Sequence, residues 1–285
     1  MALSHGVARA SEIAEPYRVP EVLTPLLPHL SGLMRFYADD LSVCESLLTL
    51  FRDYAEHFIA MLRPDHCAAL FGASADLLRD YGARHCASRA VSTANGGGEG
   101  SFKDALDKEQ NYSDVLCAVQ LLVHLGTKDF VGASDVANAS STSTKQVTDV
   151  VFFGLQQILP VMTRGLLRYP TLCSQFFLLV GLMLDTYPEE ACALPHELLV
   201  ALLDSSLHGM SHADAAVGRS SLRGAAALVR EHARSGALRN HLERRPALLA
   251  DARRRLLTEV VVVVASVVRD RAEAAASALL PLAGH

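Results

Sequence analysis

The side chains best able to do chemistry in this sequence are its histidines and cysteines, and their spacing limits what they can do. His66-Cys67 and His85-Cys86 are two adjacent pairs, four potential zinc ligands. Neighbouring residues on a helix point about 100° apart, and zinc motifs usually space their paired ligands by two or more residues. The two pairs are therefore expected to leave no metal site. "HGMSH" places His208 and His212 at i and i+4, a spacing that shares one helix face. Gly209 and the polar Ser-His-Ala-Asp run behind it mark a helix end or inter-helix turn, so an exposed turn pair is expected. His124 sits on the apolar-stripe side of its helix and reads as a satisfied, partly buried histidine rather than a base. An enzyme needs nucleophile, base and oxyanion donors brought together, or a metal cluster. The sequence contains no G-x-S-x-G, no P-loop and no H-E-x-x-H. The reading is a non-enzymatic protein without cofactor or metal.

What must position these residues is helical. The chain has 285 residues, half of them apolar, only 6% aromatic and none Trp, so burial rests on many aliphatic contacts. Alternating runs bounded by Asn-Gly or Asp-Gly turns are absent. Residues about 41 to 63 form a long amphipathic helix, and Pro64 starts another at its first turn. A Gly-rich loop follows at 91–106. Residues 107 to 126 then place Val115, Val119, Leu122 and Leu125 on one stripe. From Gln146 to Leu167 the apolar positions fit a helix kinked at Pro160, whose ring clashes with the Gln156 carbonyl. Pro170 closes the turn, and Thr171 to Tyr187 is apolar nearly all round, which requires neighbours on several sides. Pro188 stops that helix, Pro195 starts the next with Leu199, Leu203, Leu207 and Met210 in register, and a partner runs from about Ala213 to Arg234. First-helix starts near 147 and 195 give a period of about 48, close to the roughly 40–47 residues of HEAT and armadillo helix pairs. The expected fold is all-α, an α-solenoid of HEAT-like antiparallel helix pairs; a four-helix bundle is the rival. Its divisions are a flexible N-terminal segment (1–20), HEAT-like helices (21–90), the Gly-rich loop, HEAT-like repeats (107–234) and C-terminal Arg/Ala/Val-rich helices (235–285).

Charge and cysteine usage narrow the partners. The net charge is −5, yet residues 219–271 hold 12 Arg against 5 acids. A basic end face could meet an acidic partner or nucleic acid. The absence of Phe, Tyr and Trp from that stretch argues against single-stranded nucleic acid. Six scattered cysteines without a C-x-x-C read as small hydrophobes in a reducing compartment, cytosol or nucleus. The first 25 residues are polar and Pro-interrupted, unlike a signal peptide. The uncharged run Tyr169 to Leu184 covers 16 residues and the valine run 260–264 with 267–268 is shorter, whereas a span needs roughly 20. A soluble chain is expected.

Three ordered stretches, "TKDFVGASD" (127–135), "TDVVFFGLQQILPVMTRGLLRYPTLCSQFF" (148–177) and "YPEEACALPHELLVALLDSSLHGMS" (187–211), resemble the C-terminal region of the exportin-4 family. These are nuclear transport receptors of the importin-β superfamily. The match is best over 112–210, and "LSVCESLLTLF" (41–51) is also similar. The resemblance implies a HEAT-repeat (armadillo-type) receptor that shuttles between nucleus and cytoplasm through nuclear pores. Its implied partners are cargo proteins, the GTP-bound form of Ran and nuclear pore proteins. The cargo would include a hypusine-bearing translation factor and a Smad-type protein for export, and HMG-box factors for import. Such receptors are several times longer and most of their Ran contacts lie in amino-terminal repeats, so the resemblance implies a C-terminal piece or a truncated gene model. In such solenoids the second helix of each pair lines the concave face. Its polar positions, Gln175 and Asp185 in one pair and Arg219, Arg223 and Arg230 in the next, are the candidate partner contacts. A cationic hypusine would favour an acidic pocket, for which Asp39, Asp40 and Glu45 are alternatives. A HEAT-repeat scaffold unrelated to transport is the alternative function.

Overall fold

A computed structural model describes residues 18–86, 112–127 and 141–244. The Gly-rich loop, the valine run and most of the expected N- and C-terminal segments lie outside the described residues. Among the described residues every regular element is helical. In order these are α1 (Arg18–Leu23), a 3-10 turn (Thr24–Leu26), α2 (Leu27–Phe36), α3 (Leu41–Phe58) and α4 (Pro64–Tyr81), which runs into a π turn (Gly82–Cys86). Then come α5 (Ser113–Gly126), α6 (Ser141–Ile158), a 3-10 turn (Leu166–Arg168), α7 (Pro170–Thr186) and α8 (Pro188–Cys192). The last three are α9 (His196–Met210), α10 (Ala215–Ser235) and α11 (Arg239–Arg244). The protein is all-α over these residues.

Local chemistry sets the boundaries. Asp40 opens α3 as an N-cap, its Oδ1 accepting from the Ser42 and Val43 N–H groups at 3.0 and 3.3 Å. Asp214 does the same for α10, accepting from Ala216 N–H at 2.8 Å. Pro64, Pro170 and Pro188 each occupy the first turn of a helix, where a missing N–H costs nothing. Gly236 closes α10 in the left-handed region at φ 70°, with its N–H on the His232 carbonyl.

Three expectations change. The helix expected over 146–167 is not kinked at Pro160; α6 ends at Ile158 and the chain turns at 159–161. Without an N–H, Pro160 cannot bond the Gln156 carbonyl, and ending the helix relieves the ring clash. Residues 159–169 then form a packed corner, with Val161, Met162, Leu166 and Leu167 buried. The turn between α6 and α7 is thus the whole segment, and Pro170 is its last piece. Pro188 does not simply stop a helix; it begins the short α8. The helix expected over 41–63 ends at Phe58, because a turn precedes Pro64 and Arg63 is extended (φ −66°, ψ 159°), as a residue before proline prefers.

The helices pack in two rows. α3, α5, α7 and α10 contact one another in succession, with the α7–α10 contact the most extensive. α2, α4 and α6 form a second row in the same order. Contacts of α2 with α3, α3 with α4, and α5 with α6 join the rows, and α9 packs on α7 and α10 of the first row. One continuous apolar core runs through both. As its all-round apolar pattern requires, α7 is covered by several neighbours, chiefly α5 and α10, with Phe176, Phe177, Leu179, Val180, Met183 and Leu184 fully buried. Each such side chain contributes roughly 1.5–3 kcal/mol relative to exposure. Leu178 is the exception and stays exposed.

The α7–α10 seam is close because it is lined with small residues. A Cβ on Gly224 would lie 3.0 Å from Leu184 Cβ and 3.3 Å from Gly181 Cα. Ser220 Oγ uses the proximity to donate to the Phe177 carbonyl at 2.9 Å.

Candidate interaction surface

Three of the five candidate partner-contact residues come together on the outer edge of that seam. Arg223 and Arg230 are seven residues apart, two turns of α10, and so share a face. Both reach Asp185 in the last turn of α7, at 2.6 Å from Arg223 and 3.6 Å from Arg230. The arginines are about three-quarters exposed (75% and 73%), so solvent screens the pairs and each is worth about 0–1 kcal/mol. Arg219, one turn before Arg223, is exposed, and Gln175 is half-buried two turns or more from Asp185 on α7. Neither has a bond to the Asp185 cluster.

The charge pattern continues along α10. Arg234 bridges Glu189 of α8 and Glu231 of its own helix. Hydrogen bonds from Ser235 and Arg234, with the Arg234 charge, hold the Glu231 carboxyl below its ordinary value. The arginine-rich face therefore carries alternating charge from Asp185 to Arg234. A surface of both signs suits a protein partner better than a polyanion, which rewards uninterrupted positive charge.

The alternative acidic trio is spent locally. Asp40 caps α3, Glu45 accepts from the Ser113 hydroxyl at 2.7 Å, and Asp39 pairs with Arg84 at 3.3 Å.

The histidine and cysteine candidates also separate. His66 meets Arg63 at 3.0 Å, while Cys67 Sγ lies 3.6 Å from the Leu62 carbonyl. His85 instead stacks on Tyr81 and approaches Cys44 Sγ at 3.4 Å. Among the described residues no group of three or more His, Cys, Asp or Glu is placed to hold a metal. His124 is half-buried, and burial lowers its pKa below the ordinary 6.5 despite Glu56 at 3.9 Å. It is neutral in the fold, as a satisfied histidine should be.

His212 makes a second cysteine–histidine approach, with Cys173 Sγ 3.7 Å from its Nε2. The tautomer is wrong for a base. Asp214 N–H donates to His212 Nδ1 at 3.1 Å, which leaves the ring proton on Nε2, facing the sulfur. Burial, with Asp214 nearby, also pushes the Cys173 thiol up, so it stays protonated. Cys192 is pushed up to about 11 by burial and Glu231. No membrane-spanning helix, long and apolar enough, occurs among the described residues.

Two concavities were not expected from the sequence. A groove of 780 Å³ separates α6 from α8 and the start of α9, with Phe152, Phe153 and Leu198 on its walls. A second cavity of 410 Å³ lies between the 159–169 corner, the first turn of α7 and the α9–α10 turn. Its lining includes Arg164, Arg168, His208 and His212. His208 and His212, expected as an exposed turn pair, are instead half-buried, His208 within α9, and form one wall, because the 159–169 corner folds over the α9–α10 turn and brings the arginines to the same cavity. A scan against protein-family models finds none that matches the chain.

Proposed function

We propose that this chain is a segment of an exportin-4-like nuclear transport receptor, a HEAT-type stack that offers cargo-binding surface. The two-row succession of helices carries this reading. Each helix contacts the next of its own row, and the rows are joined by paired helices, which is the contact grammar of a helix-pair solenoid. A closed four-helix bundle has no such open succession. The stretches 148–177 and 187–211, on which the family resemblance rests, fall on α6 to α9, in the middle of that succession. The side-chain chemistry supports binding rather than catalysis: buried cysteines held protonated, histidines engaged with neighbours, and paired charges along the α7–α10 edge.

In this reading cargo meets the edge formed by Asp185, Arg219, Arg223 and Arg230, while Ran-GTP and nuclear pore proteins engage repeats of the longer receptor. The protein then shuttles between nucleus and cytoplasm. A pull-down with hypusine-bearing translation factor and GTP-loaded Ran tests it, using this chain and a receptor that contains the same repeats. Retention of the factor, increased by Ran-GTP in the longer receptor, is expected. A longer receptor that ignores the factor would overturn the transport reading.

A further inference from the structure

We propose that the 410 Å³ cavity between the 159–169 corner and the α9–α10 turn binds a phosphate monoester. Its lining carries two arginines against one acid. Arg35, Arg79, Arg84, Arg223 and Arg234 each meet a carboxylate. Arg164 and Arg168 line the cavity and neither reaches a carboxylate among the described residues. The acid in the lining, Asp214, already accepts from the Ala216 N–H as the cap of α10. Two guanidinium groups thus line an open space with one carboxylate, which leaves the lining net positive.

The surrounding backbone adds to that field. The cavity is walled by the first turn of α7, through Pro170 and Cys173, and by the start of α10, through Asp214 and Val217. Both are long helices whose N-terminal ends carry partial positive charge. His212 is fixed by Asp214 and Cys173 and serves as a rigid wall, so the oxyanion contacts fall to the two arginines.

Two features favour a phosphate monoester over a carboxylate. Two planar forks offer more donors than a carboxylate's two oxygens can accept, whereas a phosphate presents three charged oxygens. The volume also exceeds that of a bare ion, since a water's share of liquid is only about 30 Å³. The buried side chains of Leu167 and Val217 give the remainder an apolar lining for the carbon body of an ester.

The test is an NMR titration of the full chain, following the ring protons of His208 and His212. Phenyl phosphate should shift them saturably, inorganic phosphate more weakly, and acetate without saturation. Arg164→Gln with Arg168→Gln should weaken phenyl phosphate by about tenfold or more, and added salt should weaken it further. Both arginines are exposed, so unchanged circular dichroism is expected of the double variant. The pair Arg164→Lys and Arg168→Lys, which keeps the charge but loses the forks, should fall between the two. No saturable shift with phenyl phosphate, equal affinity in the double Gln variant, or acetate binding as tightly would each overturn the site.

Discussion

A methyl group on Gly181 probes the tightest contact between the two most extensively packed helices among the described residues. An added Cβ there would lie 2.6 Å from the Ser220 carbonyl oxygen and 2.9 Å from its carbon. Both are backbone atoms in the second turn of α10, so no rotamer change relieves the clash and the helices must separate. Overpacking of this kind costs about 1–3 kcal/mol. The gain in helix propensity on replacing Gly returns about 1 kcal/mol, and loosening the Ser220 to Phe177 hydrogen bond removes about 1 kcal/mol. Gly181→Ala should therefore destabilise by about 1–3 kcal/mol. Gly72 supplies the control, being exposed in α4 with nothing within 4 Å of its added Cβ. Gly72→Ala should stabilise by about 0.5–1 kcal/mol. Urea denaturation followed by circular dichroism reads both variants against the parent. If Gly181→Ala matched or exceeded Gly72→Ala in stability, α7 and α10 could not be packed at this distance.

Other outcomes follow from the same contacts. Phe177→Ala should cost about 3–5 kcal/mol in the same assay, because its ring is fully buried between Phe176 and Gly209. Arg223→Gln should move stability by less than about 1 kcal/mol, since its pair with Asp185 is largely exposed. Stability should fall as pH drops through about 6.5, where the unfolded chain protonates His124 but the folded one, with its lowered pKa, does not. His124→Gln should remove part of that slope in denaturation curves measured between pH 7 and 5. Glu231 gives the same sign at lower pH: its depressed pKa contributes stability above the ordinary carboxylate range and loses it on further acidification. Cys44, Cys67, Cys117, Cys173 and Cys192 are buried, so native protein should leave them unmodified by a thiol reagent that labels them after unfolding.

Much of this fold is legible in the sequence because helix starts are local chemistry. Pro64, Pro170 and Pro195 mark boundaries that depend on a few neighbouring atoms, and the structure places helix starts at or beside each. The all-round apolar pattern of α7 likewise announces its burial. Pro160 was misread because a proline inside an apolar run permits either a kink or an ending. What decides is whether the following residues find better packing off the helix axis, and Val161, Met162, Leu166 and Leu167 do. Inner placement of α5 was less visible, since its single marked stripe hid the burial of Cys117, Ala118, Leu121 and Val123 as well. Among the surface residues, Asp185, Arg223 and Arg230 share an edge because helical spacing is regular. Arg164 and Arg168 escaped notice: their meeting with the α9–α10 turn is a long-range contact that no local spacing encodes.

The transport reading places cargo on the α7–α10 edge, and charge reversal there tests it most directly. The affinity of hypusine-bearing translation factor for this chain should be compared with that for the triple variant Arg219→Glu, Arg223→Glu and Arg230→Glu, by calorimetric titration at fixed salt. All three arginines are exposed, so the fold should survive, with an unchanged circular dichroism spectrum as the check. The expected result is measurable binding by the parent chain and a loss of about tenfold or more in the variant. Equal binding by parent and variant, or none by the parent, would contradict cargo recognition at this edge.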